Sequence, residues 1–514
     1  MLGVGREQLL MDPDVVGLDV LLEERHDAWT YKETNQSVGS VSLSAAKGLW
    51  SQDNRQVRIH IKDMVGVNLE GDGTVVRFVG YSYPSYGWLW SLVSRTKAIQ
   101  RNVVTLQATG KMSLEENKAL AKQWYQSTLR LIGKTEEDLK KPLLVLVNPV
   151  SGPGKAMSLW DKIASHVICK DAGHAVKVIV TERANHGSDY LRDHTDLCAS
   201  FKGIIVASGD GGVYDALQGI MARKDWAKCL QNLPLGILPC GSGNGLAKSV
   251  AVDSSLELSV VSSAVVIARG MTQPLDICAV DIESVEGETT SFRRLYSFLS
   301  FEWGLVADAD IGSEHLRWMG ESRFTVQAII RLLFRRNYHG KVSYLPCQEA
   351  MAPQRTAKCV SSPPTYWDIH GNKPTGDQPL TALLPPLDRE PPSSWETVEG
   401  DFWQMWNCNA PYMTSSDIIA PDTKLGDGFI QLQWIQKNTM SRWQQLLYLL
   451  GLEKGSQVTN DLVTMAPTRA YRVEPLPNKD PVPGSFAVDG ELVNYAKIQM
   501  ENLRGIWKVY SSRN

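Results

Sequence analysis

The sequence predicts an α/β domain built on a mainly parallel sheet, followed by a domain of antiparallel strands arranged as a β-sandwich. Three observations carry this expectation. Short apolar runs end in glycine turns that open helix-like patterns three times in series, after Leu143 to Val147, Ile204 to Ala207 and Leu235 to Pro239. Strand-like and helix-like patterns alternate from 142 to 280, which favours a parallel sheet with helices on both faces. Beyond about residue 280, helical periodicity thins and extended apolar segments take over.

Composition bounds the possibilities. The chain has 514 residues, room for two or three domains, with 43% hydrophobic and 21% charged residues, the balance of an ordinary soluble protein. A net charge of −3 supplies no general argument for nucleic acid, so no such partner is expected, and no protein partner is indicated. The eight cysteines are scattered without metal-like spacing, and cytosolic free thiols are the simplest reading. Met1 to Glu7 lack the apolar core of a signal peptide, and Leu2 stands where myristoylation needs glycine. No apolar run reaches bilayer-spanning length, so membrane contact is expected to be peripheral.

Taken in order, residues 1–110 read as a β-rich accessory region. Val57 to Ile61, Thr74 to Val79 and Asn102 to Gln107 alternate as strands do, and aromatic residues cluster from Tyr81 to Trp90. A lipid- or protein-binding module and a structural extension are both open here. Residues 111–141 read as a helical linker: Ser113 suits an N-cap, and Glu116 three positions later completes a capping box for a helix over 113–140. Lys140-Lys141-Pro142 then leads into the α/β domain, expected over 142–285.

The glycine turns of that domain are Asn148-Pro149-Val150-Ser151-Gly152-Pro153-Gly154-Lys155, Ser208-Gly209-Asp210-Gly211-Gly212 and Gly241-Ser242-Gly243-Asn244-Gly245. A backbone without Cβ approaches a phosphate closely and aims N–H groups at it, and the following helix adds its positive dipole end. In a Rossmann-like sheet three such turns converge at the carboxyl ends of the strands, so a nucleotide polyphosphate is the expected ligand. Asp210 is out of place for anion binding alone and suggests a base or a metal-linked role. No turn carries a complete fingerprint: the first lacks Walker spacing and a Ser or Thr after Lys155, and the second lacks the third glycine of the dinucleotide pattern.

Ser208-Gly209-Asp210-Gly211 and Leu238-Pro239-Cys240-Gly241-Ser242-Gly243-Asn244 resemble the catalytic region of lipid kinases of the diacylglycerol kinase type, with the closest likeness to the sphingosine kinase family. The resemblance covers roughly residues 140–347 and 402–511, in the family's order. It implies ATP as donor, Mg²⁺ on the phosphates with no protein residues assigned as metal ligands, and Asp210 as the catalytic base. It implies nucleotide contacts at Asn148, Ser151, Gly152, Gly154 and Lys155, at Ser208, Gly209 and Gly211, and at Gly241, Ser242 and Gly243. Thr181, at the end of the strand-like Ala175 to Thr181, matches the family's Thr-Glu-Arg stretch near the nucleotide; a strand-end Thr that caps the next helix is the other reading. Asp215 stands one helical turn after Asp210, where the family usually carries the longer glutamate.

Downstream, Ser300 to Asp310 followed by Glu314, Arg317, Gly320-Glu321 and Arg323-Phe324 resembles the family's segment linking its lipid and nucleotide sites. Arg317 and Arg323 are implied phosphate donors, a role planar guanidinium groups suit. Their spacing keeps them off one helix face, so a bend near Gly320 is expected. Asp310, the second acid of Asp308-Ala309-Asp310, is implied to hold the cationic amine of a long-chain base, with Ser300, Leu305 and Phe324 on the same substrate side. Phe324 to Tyr338 reads as an amphipathic helix with Arg331, Arg335 and Arg336 on its flank, resting on the core or on an anionic membrane.

Residues 348–402 carry nine prolines, which makes a compact helix or strand implausible there and predicts a flexible insertion in a β-rich, lipid-binding domain over 286–511. Asp417 to Gly428 and Gln431 to Trp434 resemble later strands of the family. Ser441 to Leu452 reads as an apolar helix or the wall of a lipid channel. The final motif, Phe486-Ala487-Val488-Asp489-Gly490-Glu491, implies nucleotide contacts at Asp489, Gly490 and Glu491, direct or through Mg²⁺ and water; alone, Asp489-Gly490 reads as a hairpin turn.

The expected function is ATP-dependent phosphorylation of the primary hydroxyl of sphingosine and related long-chain bases to sphingosine 1-phosphate, by a cytoplasmic protein that visits membranes. Three alternatives stay open at this point: a ceramide or diacylglycerol kinase, a non-catalytic lipid-binding scaffold, and a Rossmann-type oxidoreductase. The last needs a fuller glycine pattern and a ribose-binding acid, and both are not found together.

Overall fold

The computed structural model describes residues 19–25, 28–34, 40–44, 56–60, 63–82, 99–107, 113–286, 289–313, 326–327, 330, 336–347, 364–371, 376–477 and 484–512. The chain divides into two compact units, one of Met1–Leu143, Asp161–Lys177 and Val260–Met271, the other of Leu144–Trp160, Val178–Ser259 and Thr272–Asn514.

The first unit holds two small sheets. One orders β2 (Ala28–Thr34), β1 (Asp19–Arg25), β3 (Ser40–Ser44) and β4 (Gln56–His60). The other is the antiparallel meander β5 (Met64–Glu70), β6 (Val75–Ser82) and β7 (Gln100–Gln107), with Val67, Val76 and Phe78 buried. The expected aromatic cluster lies outside the described residues beyond Ser82.

Helix α1 (Leu114–Leu131) starts at the predicted capping box, in which Glu116 Oε2 accepts from the Ser113 amide at 2.8 Å. Its buried residues Asn117, Ala121, Trp124 and Thr128 follow helical spacing, and the helix packs on β5. The single helix expected over 113–140 is in fact two. Gly133 adopts φ +69, which ends α1, and a second capping box at Thr135 and Asp138 starts α2 (Glu136–Lys140). Between them the buried Lys134 donates from Nζ to the carbonyls of Val65 and Ala268 at 2.6 and 2.5 Å.

In the second unit, β8 (Leu143–Val147), β9 (Val176–Val180), β10 (Ile204–Ser208) and β11 (Leu235–Pro239) form the expected parallel sheet, ordered β9-β8-β10-β11. β8 and β10 are buried along their whole length, as strands covered on both faces must be. The antiparallel part comprises β12 (Thr272–Glu286), β13 (Thr289–Ser297), β14 (Ser300–Gly304), β15 (Tyr338–Pro346), β16 (Glu396–Cys408), β17 (Ile430–Gln436), β18 (Thr464–Pro475), β19 (Phe486–Val488), β20 (Glu491–Val493) and β21 (Ile498–Tyr510). The two parts share one hydrogen-bonded sheet. β21 runs antiparallel to β12 and β18 and parallel to β11, where Leu235 meets Val509. Phe301, Trp303, Phe402, Tyr471 and Phe486 fill the core of the antiparallel part.

Several expectations need correction. The proline-rich stretch 348–402 contains helix α3 (Tyr366–His370) and the first half of β16. Beyond the helix it is tied down by polar groups that its sequence does not contain. Arg472, fully buried, donates to the carbonyls of Pro386 and Arg389 at 2.9 and 2.5 Å and to Gln499 Oε1 at 2.7 Å. Glu501 accepts the amides of Ala382, Leu383 and Leu384, and Trp226 stacks on Trp367. The backbone groups that proline spacing leaves outside a helix or ladder therefore still find partners. Asp417 to Gly428 is irregular rather than a strand, and β17 begins only at Ile430. Cys347 is disulfide-bonded, so the free-thiol expectation fails at that position. Tyr338 opens β15, and the amphipathic stretch from Phe324 lies mostly outside the described residues. Among the described residues no helix is long and apolar enough to cross a membrane.

Replacing Arg472 with Ala should strand these carbonyls and cost about 2 kcal/mol or more. Limited proteolysis of R472A is expected to cut within 379–395 under conditions that leave the wild type intact. Equal resistance of the two proteins would show that the strap is held by something else.

Candidate active site

The three glycine turns meet backbone to backbone. A Cβ on Gly241 would lie 2.2 Å from the Gly209 Cα, one on Gly209 would lie 2.7 Å from the Gly243 carbonyl, and one on Gly152 would lie 2.7 Å from the Cys240 carbonyl. These glycines are spent on turn-to-turn packing. Gly211 and Gly243 differ: a Cβ there would meet only Glu491 Oε1 at 3.3 Å and Asp210 Oδ2 at 3.4 Å. Ser151 stitches the first two turns together, its hydroxyl 3.1 Å from Ser208 Oγ and accepting from the Gly209 amide at 3.1 Å.

Asp210 is the first residue of helix α4 (Asp210–Met221), and helix α5 (Gly245–Asp253) starts beside it. Its carboxylate accepts from the first amides of α5, Gly245 N at 2.8 Å and Leu246 N at 3.2 Å. The side chain is buried and held where helix-terminal N–H groups favour negative charge.

These groups line one cavity of ≈ 510 Å³. Its polar end carries Asn148, Ser151, Gly152, Ser208, Gly209, Asp210 and Gly211. Asp215, Gly241, Ser242, Gly243, Asp489, Gly490 and Glu491 complete that end. Gly154, Lys155 and Thr181 are not among the lining residues; Ala184 and Asn185 are. Lys155 lies past the left-handed Gly154, at the cap of a short helix, and the Thr181 amide is used by the Val147 carbonyl. Arg317, Arg323 and Phe324 lie outside the described residues.

The opposite end is apolar. Helix α6 (Leu305–Gly312) contributes Leu305, Val306 and Ala309, and helix α7 (Arg442–Leu450) contributes Leu446, Leu449 and Leu450. Ser300, Glu302 and Asp310 also line the cavity, and a Cβ on Gly490 would lie 3.4 Å from Asp310 Oδ2. Of the acid pair, Asp310 lines the cavity. Asp308 is consumed structurally, accepting from Arg336 Nη1 at 2.8 Å, Tyr338 Oη at 2.9 Å and the Ser485 amide at 3.1 Å.

Asp489 and Gly490, at φ +52 and +83, form the two-residue turn between β19 and β20. The Asp489 carboxylate is occupied by its own chain. Oδ1 accepts from Ser297 Oγ at 2.7 Å, Leu299 N at 3.0 Å and Ser300 N at 2.9 Å, and Oδ2 accepts from Phe298 N at 3.0 Å. Burial pushes this carboxyl up to about 6, against the pull of those donors.

Residues 142–280 match the diacylglycerol kinase catalytic domain. The chain is 31% identical to sphingosine kinase 1 of Homo sapiens, over 70% of this chain and 87% of that protein. The chain belongs to the sphingosine kinase family. It is also 27% identical to sphingosine kinase 2 of Homo sapiens, over 84% of this chain and 80% of that protein. With sphingosine kinase 1 of Arabidopsis thaliana it shares 28% identity, over 72% of this chain and 75% of that protein. This lipid kinase therefore uses a nucleotide and a lipid, and the cavity described above offers glycine-rich polar lining and apolar lining.

Among the cavity residues that sequence reasoning passed over are Glu302 and Trp406. Strand alternation held the signal for the first: Ser300 and Glu302 share the cavity face of β14, while Phe301 and Trp303 enter the core. Trp406 carried no such signal, because its partner strand is more than a hundred positions distant.

Asp215 has its carboxyl pushed up to about 6, by burial first and then by Glu491 and Asp189. An acid whose pKa is raised by folding destabilises the folded state once it ionises. The loss therefore appears as pH rises from the ordinary carboxyl range to about 6 and persists above it. D215N, which cannot ionise, should gain in melting temperature over the wild type between pH 4 and pH 7. A pH-independent difference between the two melts would contradict this.

Proposed function

We propose that the kinase transfers the γ-phosphoryl group of ATP to the primary hydroxyl of sphingosine and related long-chain bases, giving sphingosine 1-phosphate. The observation that carries this reading is Asp310, a cavity-lining acid set against Gly490 and on the same helix as the apolar Leu305. A long-chain base fits that setting: its amine meets the carboxylate in a charge-assisted hydrogen bond, its tail follows Leu305 and Leu449, and its hydroxyl points to the turns. The similarity to sphingosine kinases of Homo sapiens and Arabidopsis thaliana supports this substrate.

In this reading Asp210 orients the acceptor hydroxyl and takes its proton as the oxygen attacks the γ-phosphorus. The bond to the β–γ bridging oxygen breaks, and ADP leaves. The glycine-turn amides hold the phosphates, and Arg317 and Arg323 join them by family resemblance. Asp215 and Glu491 repel one another beside the turns. Their hard carboxylate oxygens suit Mg²⁺, which would supply neutralisation of phosphate charge. Asp489 acts as a positioning residue that holds 297–300, and with it Ser300.

The protein is read as cytoplasmic with peripheral membrane contact, supported by α7. Trp443, Leu447 and Leu450 recur at helical spacing on it and are 67%, 51% and 57% exposed, while Leu446 and Leu449 line the cavity. An apolar face continuous with the cavity wall suits a helix that lies on a bilayer and admits a lipid.

Transfer of labelled γ-phosphate from Mg·ATP to sphingosine, ceramide and diacylglycerol tests the reading. Label is expected on sphingosine, with D210N folded but slower by about two to four powers of ten. D310A should lose sphingosine selectively, since ceramide and diacylglycerol lack the cationic amine. Turnover of D210N near the wild-type rate would sink the assigned base, and transfer to diacylglycerol or ceramide alone would replace the substrate. The double variant W443S/L447S should sediment less with phosphatidylcholine–phosphatidylserine vesicles than the wild type does; equal sedimentation would remove α7 from the membrane face.

A further inference from the structure

The cavity wall contains a polar pair that the phosphoryl transfer does not use. Glu302 on β14 and Trp406 on β16 are direct cross-strand partners, and both line the cavity. Side chains so paired stand about 5 Å apart on one face of a sheet. Each is almost completely buried, at 1% and 2% exposure. Glu302 Oε1 accepts from Ser300 Oγ at 3.2 Å. Glu302 Oε2 and the indole Nε1 of Trp406, both shut off from solvent, have no hydrogen-bond partner among the described residues.

Two unpartnered polar atoms on adjacent strands are a costly arrangement in an otherwise apolar wall. Other buried polar atoms of the same unit also lack a partner, Trp403 Nε1 and Gln433 Oε1 among them, but their residues do not line the cavity, whereas Glu302 and Trp406 do. A bound ligand resolves the discrepancy if it carries one acceptor and one donor side by side. A hydroxyl does: it accepts from the indole N–H and pairs with the carboxyl oxygen. Burial, then the neighbouring Asp310, push the Glu302 carboxyl well above the ordinary range, which favours the neutral form that can both donate and accept.

We propose that Glu302 and Trp406 form a specificity-determining subsite for a secondary hydroxyl of the lipid, carried on the chain beside the amine-bearing carbon. This rests on the long-chain-base reading above and adds to it a second point of headgroup recognition. A site built to bond a hydroxyl discriminates against the analogue lacking it, because the buried groups are then left unpaired.

The test measures kcat/KM for three acceptors with the full-length protein: 2-amino-1-octadecanol, which has no secondary hydroxyl, sphinganine, which has one, and 4-hydroxysphinganine, which has two. The wild type should prefer a hydroxylated base over 2-amino-1-octadecanol by about tenfold or more. The preference should already be present for sphinganine; preference only for 4-hydroxysphinganine would overturn a subsite for the hydroxyl next to the amine-bearing carbon. W406F, which removes the N–H and keeps most of the ring, and E302L should bring the ratio towards one. E302Q, which keeps a donor and an acceptor, should retain most of it. A merely structural role would lower all acceptors in parallel and leave the ratio at its wild-type value, which would overturn the subsite. So would a wild type that shows no preference. If the wild type phosphorylates none of the three amino alcohols, the substrate reading itself falls and takes the subsite with it.

Discussion

The contact on which this structure depends is the close approach of three peptide backbones at Gly152, Gly209 and Gly241. With Cβ positions 2.2 to 2.7 Å from neighbouring backbone atoms, none of the three turns tolerates a side chain where it meets the next. The consequence is geometric. β8, β10 and β11 end side by side, so Ser151, Asp210 and Ser242 reach one cavity from three separate stretches of chain. Asp210 gains its setting the same way, because the turn after β11 delivers the first amides of α5 to its carboxylate. The glycine-lined end of the cavity and the fixed Asp210 carboxylate thus follow from one packing requirement.

A second tie brings the far end of the chain to the same place. The Asp489 carboxylate gathers the amides of Phe298, Leu299 and Ser300, which joins the β19–β20 turn to the start of β14. Gly490 and Glu491 reach the polar end of the cavity through this link, and Ser300 and Glu302 are held on the cavity wall. β21 then runs back through the antiparallel strands to lie beside β11, so the antiparallel strands continue into the parallel sheet that carries the glycine turns. Residues from Asn148 to Glu491 serve one cavity because the last strands close the fold rather than extend it.

Polar groups buried in this unit are of two kinds. Asp276, pushed up to about 7 by burial, accepts the amides of Gly428 and Gly505 at 2.7 Å each and has no capacity wasted. Arg472 and Glu501 do comparable work on the proline-rich segment. Glu302 and Trp406 break the pattern on the cavity wall. Other buried atoms of this unit go unpaired as well, Trp403 Nε1 and Gln433 Oε1 among them, but those of Glu302 and Trp406 belong to residues on the cavity wall, where a ligand can reach them.

Local chemistry by itself determined much of this protein. The capping box at Ser113 and Glu116, the three strand–glycine–helix units and the Asp489-Gly490 turn are decided by residues within a few positions of one another, and they read directly from the sequence. So did Asp210, a lone acid in a turn otherwise shaped for an anion. What only the tertiary structure decided depends on partners far away in the chain. The proline-rich stretch looked loose because its anchors, Arg472, Gln499 and Glu501, lie about a hundred residues downstream. Asp308 and Asp310 look alike in sequence, yet Arg336, Tyr338 and Ser485 claim one and leave the other on the cavity. Asp489 resembled a ligand contact and is instead filled by four donors from β13 and β14 and the turn between them. Glu302 and Trp406 become neighbours only through the register of β14 against β16. Helix caps and turns are short-range and legible; the satisfaction of a buried polar atom is a property of the packed interior, and no local pattern records it.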